Sequence, residues 1–469
     1  MTSWEFIAID LPPLLTAILS SSACGLLGNY LILRRQSLMG DAIAHSVLPG
    51  IVIAFLLSSH RSSLSVFLGA AIAGVVSALC IEFLRRNRFV ETSATIGIVF
   101  PLFFALGVLL IEQAAARHVD LDADCLLYGQ LESIFWLPPS DITTLLTASS
   151  LQLLPEELIT SALCFLSVLF IILLFKKELT LSSFDPTLAT SMGFSSNMLN
   201  NLLMLVLAVA VVASFKAVGS ILVIAMIISP AACARLFTDK LNTQLMLSVL
   251  FAILMSVGGY CVAVFLPLIL GSSSSLNAAG MIAALGGILL IGSICFSPRY
   301  GTIGRRYRKN VLQNRILQED ILAALFRLEE DASKETRLFS QAAVQEILKK
   351  SSATSDTADY RKRERRTVKR LVDNNFLVRK GALVGLTADG RNEARKLIRT
   401  HRLLESYLVE EAGVEPDHVH ETAEALEHFT SESQDHALAR ATPEPRNDPH
   451  GKRIPLSPSK IASREIDKS

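Results

Sequence analysis

The stretch MLNNLLMLVLAVAVVASFKAVGSILVIAMIISPAACARLF, residues 198–237, is apolar at almost every position and carries charge only at Lys216 and Arg235. A helix crosses the roughly 30 Å hydrocarbon core of a bilayer with about 20 apolar residues, so this run reads as two spans, over 198–215 and 217–237. Working outward, apolar stretches of spanning length recur at 11–33, 42–57, 64–84, 92–111, 158–175, 244–270 and 278–297. An all-α polytopic membrane domain of about nine transmembrane helices is expected. Basic clusters occupy alternate connections: Arg34-Arg35, Arg85-Arg86-Asn87-Arg88, Lys176-Lys177, Arg235 with Lys240, and Arg299 onward. An excess of Lys and Arg marks cytoplasmic loops, which puts the N-terminus outside and the C-terminus in the cytoplasm. The first apolar run has no basic stretch before it and reads as a retained span, not a cleaved signal.

The chain has 469 residues, 51% of them hydrophobic, and 44 basic against 43 acidic side chains give a formal net charge of +1. That composition excludes a disordered chain. The charges are unevenly placed: about 28 precede Ser297 and about 59 follow it, so an apolar membrane part is joined to one with the charge density of a soluble domain. The seven cysteines form no Cys-x-x-Cys pair, so neither a disulfide framework nor a zinc-thiolate site is implied.

Asp41 and His45 are four residues apart in the second span and project from one helical face. Both offer lone pairs suited to a divalent transition metal. An ionisable residue at membrane depth must face a bundle interior or a water-filled path, which makes the two candidates for a translocation pathway. The competing reading has Asp41 capping the helix and His45 hydrogen-bonded to backbone. Outside, the segment 112–157 holds His118, Asp120, Asp122 and Asp124, either a meeting point for an arriving cation or an ordinary solvated loop.

Met39-Gly40-Asp41-Ala42-Ile43-Ala44-His45-Ser46-Val47-Leu48-Pro49-Gly50 and the run from Val218-Gly219-Ser220 to Ser229-Pro230-Ala231-Ala232 together resemble the integral-membrane subunit of zinc/manganese/iron ABC importers. A third motif, Ser183-Phe184-Asp185-Pro186 with Ala189 and Gly193, follows Lys176-Lys177. By the resemblance, Phe184, Asp185, Pro186 and Gly193 belong to the coupling element that docks onto the ATPase subunit, and a turn-rich cytoplasmic loop suits docking. No Gly-x-x-x-x-Gly-Lys-Ser/Thr phosphate loop occurs in the chain, so it is expected not to be an enzyme, with ATP hydrolysis on a separate ATP-binding cassette subunit. The resemblance further implies an extracytoplasmic metal-binding protein, a second permease subunit in a homodimer, and a place in a bacterial inner membrane.

Beyond Arg305-Arg306-Tyr307-Arg308-Lys309, the pattern over 311–330 predicts an amphipathic helix, 339–349 a second, and Tyr360 to Asn374 a strongly basic one. The basic helix carries Arg361, Lys362, Arg363, Arg365, Arg366, Lys369 and Arg370. Phe376 to Val378 and Leu383 to Leu386, joined at Lys380-Gly381, read as a hairpin wing. This order predicts a winged helix-turn-helix whose cations neutralise phosphates and reach base edges. A solvated face or attraction to anionic lipid are the alternatives. Further on, His401 and Glu405 are one helical turn apart, and His420, Glu424, Glu427 and His428 share one stripe of another helix, a nitrogen/oxygen donor set suited to manganese, iron or zinc.

Leu386-Thr387-Ala388-Asp389-Gly390-Arg391, His401-Arg402-Leu403-Leu404-Glu405, the His420 to His428 stripe and Asp448-Pro449-His450-Gly451-Lys452-Arg453-Ile454-Pro455 resemble the diphtheria-toxin-repressor and manganese-transport-regulator family over 311–458. By that resemblance, Asp320, His401, Glu405, His420, Glu424, Glu427 and His428 are metal ligands in an α-helical metal-binding and dimerisation domain. Glu424 stands where iron-type members carry cysteine, which favours Mn2+ over Fe2+ and Zn2+. The link before Thr367-Val368-Lys369-Arg370 is longer than the family pattern, and the small C-terminal barrel of some members is expected to be missing. Residues 442–469, rich in proline and charge, are expected to form a flexible tail.

The expected division is 1–298 permease, 299–311 basic linker, 312–390 winged helix-turn-helix, 391–441 metal-binding and dimerisation domain, and 442–469 tail. The expected function is the permease subunit of an ABC importer for a divalent transition metal, fused to a metal-dependent repressor of metal-uptake genes. The metal is cargo and corepressor, and operator DNA is a partner. Two alternatives stay open: a cytoplasmic domain that gates transport without binding DNA, and release of a soluble C-terminal fragment by proteolysis near 300–312.

Overall fold

The computed structural model describes residues 6–58, 63–86, 92–115, 129–136, 153–271, 276–332, 337–351, 358–442 and 447–456. The acidic loop His118 to Asp124 and the end of the tail lie outside them. Two compact units emerge, Met1–Arg305 and Arg306–Ser469.

The first unit is helical: α1 (Leu11–Leu33), α2 (Met39–Ser46), α3 (Leu48–Ser58), α4 (Ser63–Arg86), α5 (Thr92–Ala115), α6 (Glu156–Leu174), α7 (Lys176–Phe184), α8 (Pro186–Ser191), α9 (Ser196–Phe237), α10 (Leu241–Leu270) and α11 (Ala278–Phe296). Among the described residues, eight helical segments are long and apolar enough to cross a membrane, one fewer than the sequence led us to expect. The difference lies in α9, which takes up both expected spans, 198–215 and 217–237, in 42 residues. Straight, such a helix would be about 63 Å long, twice the hydrocarbon thickness. It is not straight. Asn200, near its start, accepts from Arg34 at 2.7 Å, while Gln244, just beyond its end, donates to Asn29 at 2.9 Å. Both contacts lie at the same end of α1, so α9 departs and returns. The reversal is at Gly219 (φ 75°, ψ 168°), three residues past the expected break, in a backbone region open essentially to glycine alone. Gly129 (φ 72°) packs against the bend: a Cβ there would sit 2.4 Å from the Val218 carbonyl carbon.

The expected second span also divides, into α2 and α3 at Val47, because Pro49 in the first turn of α3 has no N–H to continue the hydrogen-bond ladder. Buried polar side chains pair between helices, as an apolar surrounding demands. Asn29 donates to Ser248 at 2.7 Å, and Ser21 meets Ser256 at 2.8 Å. Arg34 spreads its guanidinium over Ser183 (3.0 Å), Asn200 (2.7 Å) and Ser182 (3.0 Å), and Asn200 donates in turn to Glu82 (3.0 Å).

The second unit contains, from Arg306 on, α12 (Thr302–Asp331), then β1 (Phe339–Ser340), α13 (Gln341–Ser351), α14 (Ala358–Asp373), β2 (Leu377–Lys380), β3 (Leu383–Leu386), α15 (Ala388–Glu410), α16 (Val419–Glu427) and α17 (Glu432–Ala441). The stretch expected as a linker, 299–311, is largely helical, since α12 starts at Thr302; Arg and Lys are good helix formers and no proline interrupts them. An antiparallel sheet of order β1-β3-β2 has Phe339 opposite Val384 and Leu377 opposite Leu386. Its tight turn is made by Gly381 (φ 63°). Leu317, Ile321, Leu325, Val344, Val368, Leu371 and Leu386 close one core; burying each such side chain contributes about 1.5–3 kcal/mol. Buried Arg402 ties α15 to α12 through Glu330 and to the C-terminal turn through the Arg453 carbonyl and Asp448.

Candidate metal centre

α15, α16 and α12 bring the expected ligands together in the second unit. Thr387 caps α15 by accepting from the Gly390 N–H at 3.0 Å, which fixes the turn leading to His401 and Glu405. The ligand atoms of His401, Glu405 and His420 lie within 4.8 Å of one another, and so do those of Asp320, Glu427 and His428. In the first group, Glu405 Oε1 stands 3.1 Å from His401 Nε2 and 2.8 Å from His420 Nδ1. In the second, His428 Nε2 stands 3.2 Å from Asp320 Oδ1 and 3.8 Å from Glu427 Oε1. Glu427 joins the two groups, for its other oxygen lies 2.6 Å from His401 Nδ1.

That last contact is an ion pair between two buried atoms, neither of which has a well-formed hydrogen bond to any other group among the described residues. Buried polar atoms short of hydrogen bonds are costly; a cation shared between them would satisfy both. The donors are imidazole nitrogen and carboxylate oxygen without sulfur, a set that fits manganese, iron or zinc.

Electrostatics follow the geometry. Burial opposes protonation of His401, but Glu405 and Glu427 overcome it and raise its pKa to about 9. Burial likewise opposes protonation of His428, yet Asp320 and Glu319 carry its pKa to about 10. Glu405 is buried too, which alone would raise its carboxyl; His401 and His420 hold it far below the usual carboxylate range. The single stripe expected on α16 is divided, with His420 in one group and Glu427 and His428 in the other. Glu424 joins neither. Burial pushes its carboxyl up against the pull of His420 and Arg327.

Two residues of the centre escaped the sequence reading. Glu319 Oε2 is 2.7 Å from His428 Nδ1, and His450 Nδ1 is 3.8 Å from Glu405 Oε2. Glu319 looks in sequence like half of an ordinary i, i+4 pair with Arg315, whereas His450 stands in the Asp448 to Pro455 motif, which is its signal in the sequence.

In the membrane unit, His45 Nε2 lies 3.3 Å from Asp41 Oδ1, and both side chains are partly open while Ala42, Ile43 and Ala44 beside them are buried. The start of α2 has no side-chain cap, and His45 packs against Phe100 and Phe104, with ring centroids 5.2 and 5.9 Å away. Asp185 caps α8 by accepting from Thr187 and Leu188 (3.0 and 2.9 Å). Phe184, Leu188 and Met192 are exposed around it, and Gly193 turns the chain at φ 89°. On α14, Arg361, Lys362, Arg365, Arg366 and Lys369 line one open cavity of about 660 Å³. Arg363 turns toward Gln313 of α12 (2.6 Å), and Arg370 lines a neighbouring cavity.

Residues 8–148 and 137–296 match the ABC 3 transport family, and residues 387–456 match the iron dependent repressor, metal binding and dimerisation domain. The zinc transport system membrane protein TroD of Treponema pallidum is 37% identical over 376 residues, 80% of this chain and 95% of that protein. An alignment of that length extends beyond the first unit into the second. The manganese transport system membrane protein MntC of Halalkalibacterium halodurans is 36% identical over 295 residues, 63% of this chain and 89% of that protein. A solved manganese-dependent transcriptional repressor complex with manganese is 29% identical, with a TM-score of 0.25 over 30% of this chain and 59% of that one. The chain belongs to the ABC 3 transport family, with a repressor-type metal-binding and dimerisation domain following its membrane part.

Proposed function

We propose that this protein is the permease subunit of an ABC importer for a divalent transition metal, Mn2+ first and Fe2+ or Zn2+ next, whose C-terminal unit binds the same metal and represses uptake genes. The observation that carries this reading is the pair of adjacent ligand groups, joined by the buried contact of Glu427 with His401, in a chain of a membrane-transport family. Asp41 and His45, paired and partly open beside buried neighbours, line the path of the cargo. Phe184, Asp185, Pro186 and Gly193 dock a separate ATPase subunit, an extracytoplasmic protein delivers the ion, and a second copy completes the permease.

The alternating basic clusters put the N-terminus outside and the second unit in the cytoplasm. There α13, α14 and the hairpin act as a winged helix-turn-helix, with Arg361, Arg365, Arg366 and Lys369 on DNA phosphates and base edges. Arg363 and Arg370 support that face. A bound metal supplies positive charge that draws α12, α15 and α16 together. This chain's residues set the spacing of two recognition helices in a dimer about one DNA turn apart. Linkage requires metal and DNA to tighten each other's binding by the same factor.

The test is a gel shift of the full chain in detergent, on DNA from upstream of its own gene. Retardation should require added manganese and be lost in Glu427→Ala. Manganese binding that is lost in Glu427→Ala, with no retardation at modest salt, leaves a sensor that gates transport and removes the repressor reading.

A further inference from the structure

His428 is held at both ring nitrogens by consecutive residues of α12: Asp320 Oδ1 stands 3.2 Å from Nε2, and Glu319 Oε2 stands 2.7 Å from Nδ1. Among the described residues it is Asp320, not Glu319, that shares a group of converging ligand atoms with Glu427 and His428. Glu319 is engaged on both sides, since its other oxygen accepts from Arg315 Nε at 2.8 Å. A carboxylate engaged at both oxygens in this way is an acceptor for the ring. Which imidazole nitrogen keeps its proton is decided by the hydrogen bond that the other partner offers. An acceptor on Nδ1 leaves the proton there and frees the Nε2 lone pair, on the side where Asp320 and Glu427 stand.

We propose that Glu319 is a positioning residue of the metal centre: it holds His428 as the Nδ1–H tautomer and so aims Nε2 at the cation bound with Asp320 and Glu427. This rests on the metal-sensor reading above. It also gives α12 a defined rotation. Glu319 and Asp320 are neighbours on one helix and meet opposite edges of one ring, so turning the helix about its axis breaks one contact or the other. His428 can satisfy both only in one register, which makes the ring a reporter of where α12 sits.

The experiment uses the full-length protein in detergent micelles with 15N-labelled histidine and zinc as a diamagnetic probe, with the His428 signals identified by their loss in His428→Asn. In the zinc-loaded wild type the proton is expected on Nδ1, with Nε2 shifted by zinc. Glu319→Ala should give mixed tautomers and roughly 10–100-fold weaker zinc binding at this group, the usual effect of losing a carboxylate partner of a ligating histidine. Glu319→Gln, which keeps a neutral acceptor, should retain the tautomer with a displaced Nδ1 resonance, because an amide accepts more weakly than a carboxylate. The Gln variant decides the matter if the Ala variant does not fold. Zinc on Nδ1 in the wild type, or an Nδ1 resonance and zinc affinity unchanged in Glu319→Gln, overturns the proposal. If zinc leaves the wild-type His428 signals untouched, the sensor reading itself fails and this inference with it. If zinc moves them and Glu427→Ala abolishes the effect while the Glu319 variants behave as wild type, only this inference fails.

Discussion

At His401 and His428 a proton and a metal ion compete for the same lone pairs. Both pKa values are raised, to about 9 and about 10, so without metal the two rings are cationic at neutral pH and paired with carboxylates. The stability these pairs contribute is fully present below the ordinary histidine value near 6.5 and is lost as pH rises through about 9 to 10. Metal binding must displace the protons, so its affinity should climb with pH, about tenfold per unit for each proton released. Manganese titrations from about pH 6 to about pH 8, with proton release followed in weak buffer, measure this, and a flat profile means that the histidines are not ligands. In the membrane unit, His45→Ala should abolish most metal uptake while the protein still reaches the membrane; uptake of manganese, iron and zinc at wild-type rates would remove it from the path. Spacing alone made Asp41 with His45 and His401 with Glu405 visible in sequence, because one helical turn is a local rule. Glu319 was invisible, since its partner lies 109 positions away and is reached only through packing.

α9 is where local reading and tertiary packing part. Its composition fixes a long apolar run, and length with Lys216 already divides it into two spans and so implies a reversal near 216, three residues short of Gly219. The contacts of Asn200 and Gln244 with one end of α1 force it. Gly219→Ala should therefore cost about 1–3 kcal/mol through backbone strain, seen as a lower unfolding midpoint in detergent. An unchanged midpoint would falsify the view that the positive φ is required there. α12 teaches the opposite lesson: the charge of the basic exit segment suggests a linker, yet its residues have good helix propensity and continue into the amphipathic pattern that packs through Leu317 and Ile321.

For the whole molecule, the uneven placement of charge anticipated two units, and they divide at Arg305 within the basic stretch. If the exposed face of α14 meets DNA phosphates, removing Arg361, Arg365, Arg366 or Lys369 singly should weaken binding to all sequences and reduce the slope of log affinity against log salt by about 0.9 each. Salt-titrated binding of the full chain measures this, and slopes unmoved in all four variants would remove DNA from that face. The sequence by itself determined the membrane class, the order of elements in the second unit and five of the six residues in the joined ligand groups, since these follow from hydrophobic length, periodicity and side-chain chemistry; the sixth, Asp320, came from the family resemblance. Tertiary structure alone decided that α9 turns back at Gly219, that Glu424 stands apart, that the ligands divide into two groups bridged by Glu427, and that Glu319 completes the hold on His428. Each of those depends on contacts between helices distant in sequence, and periodicity along one helix carries no information about which neighbour it will meet.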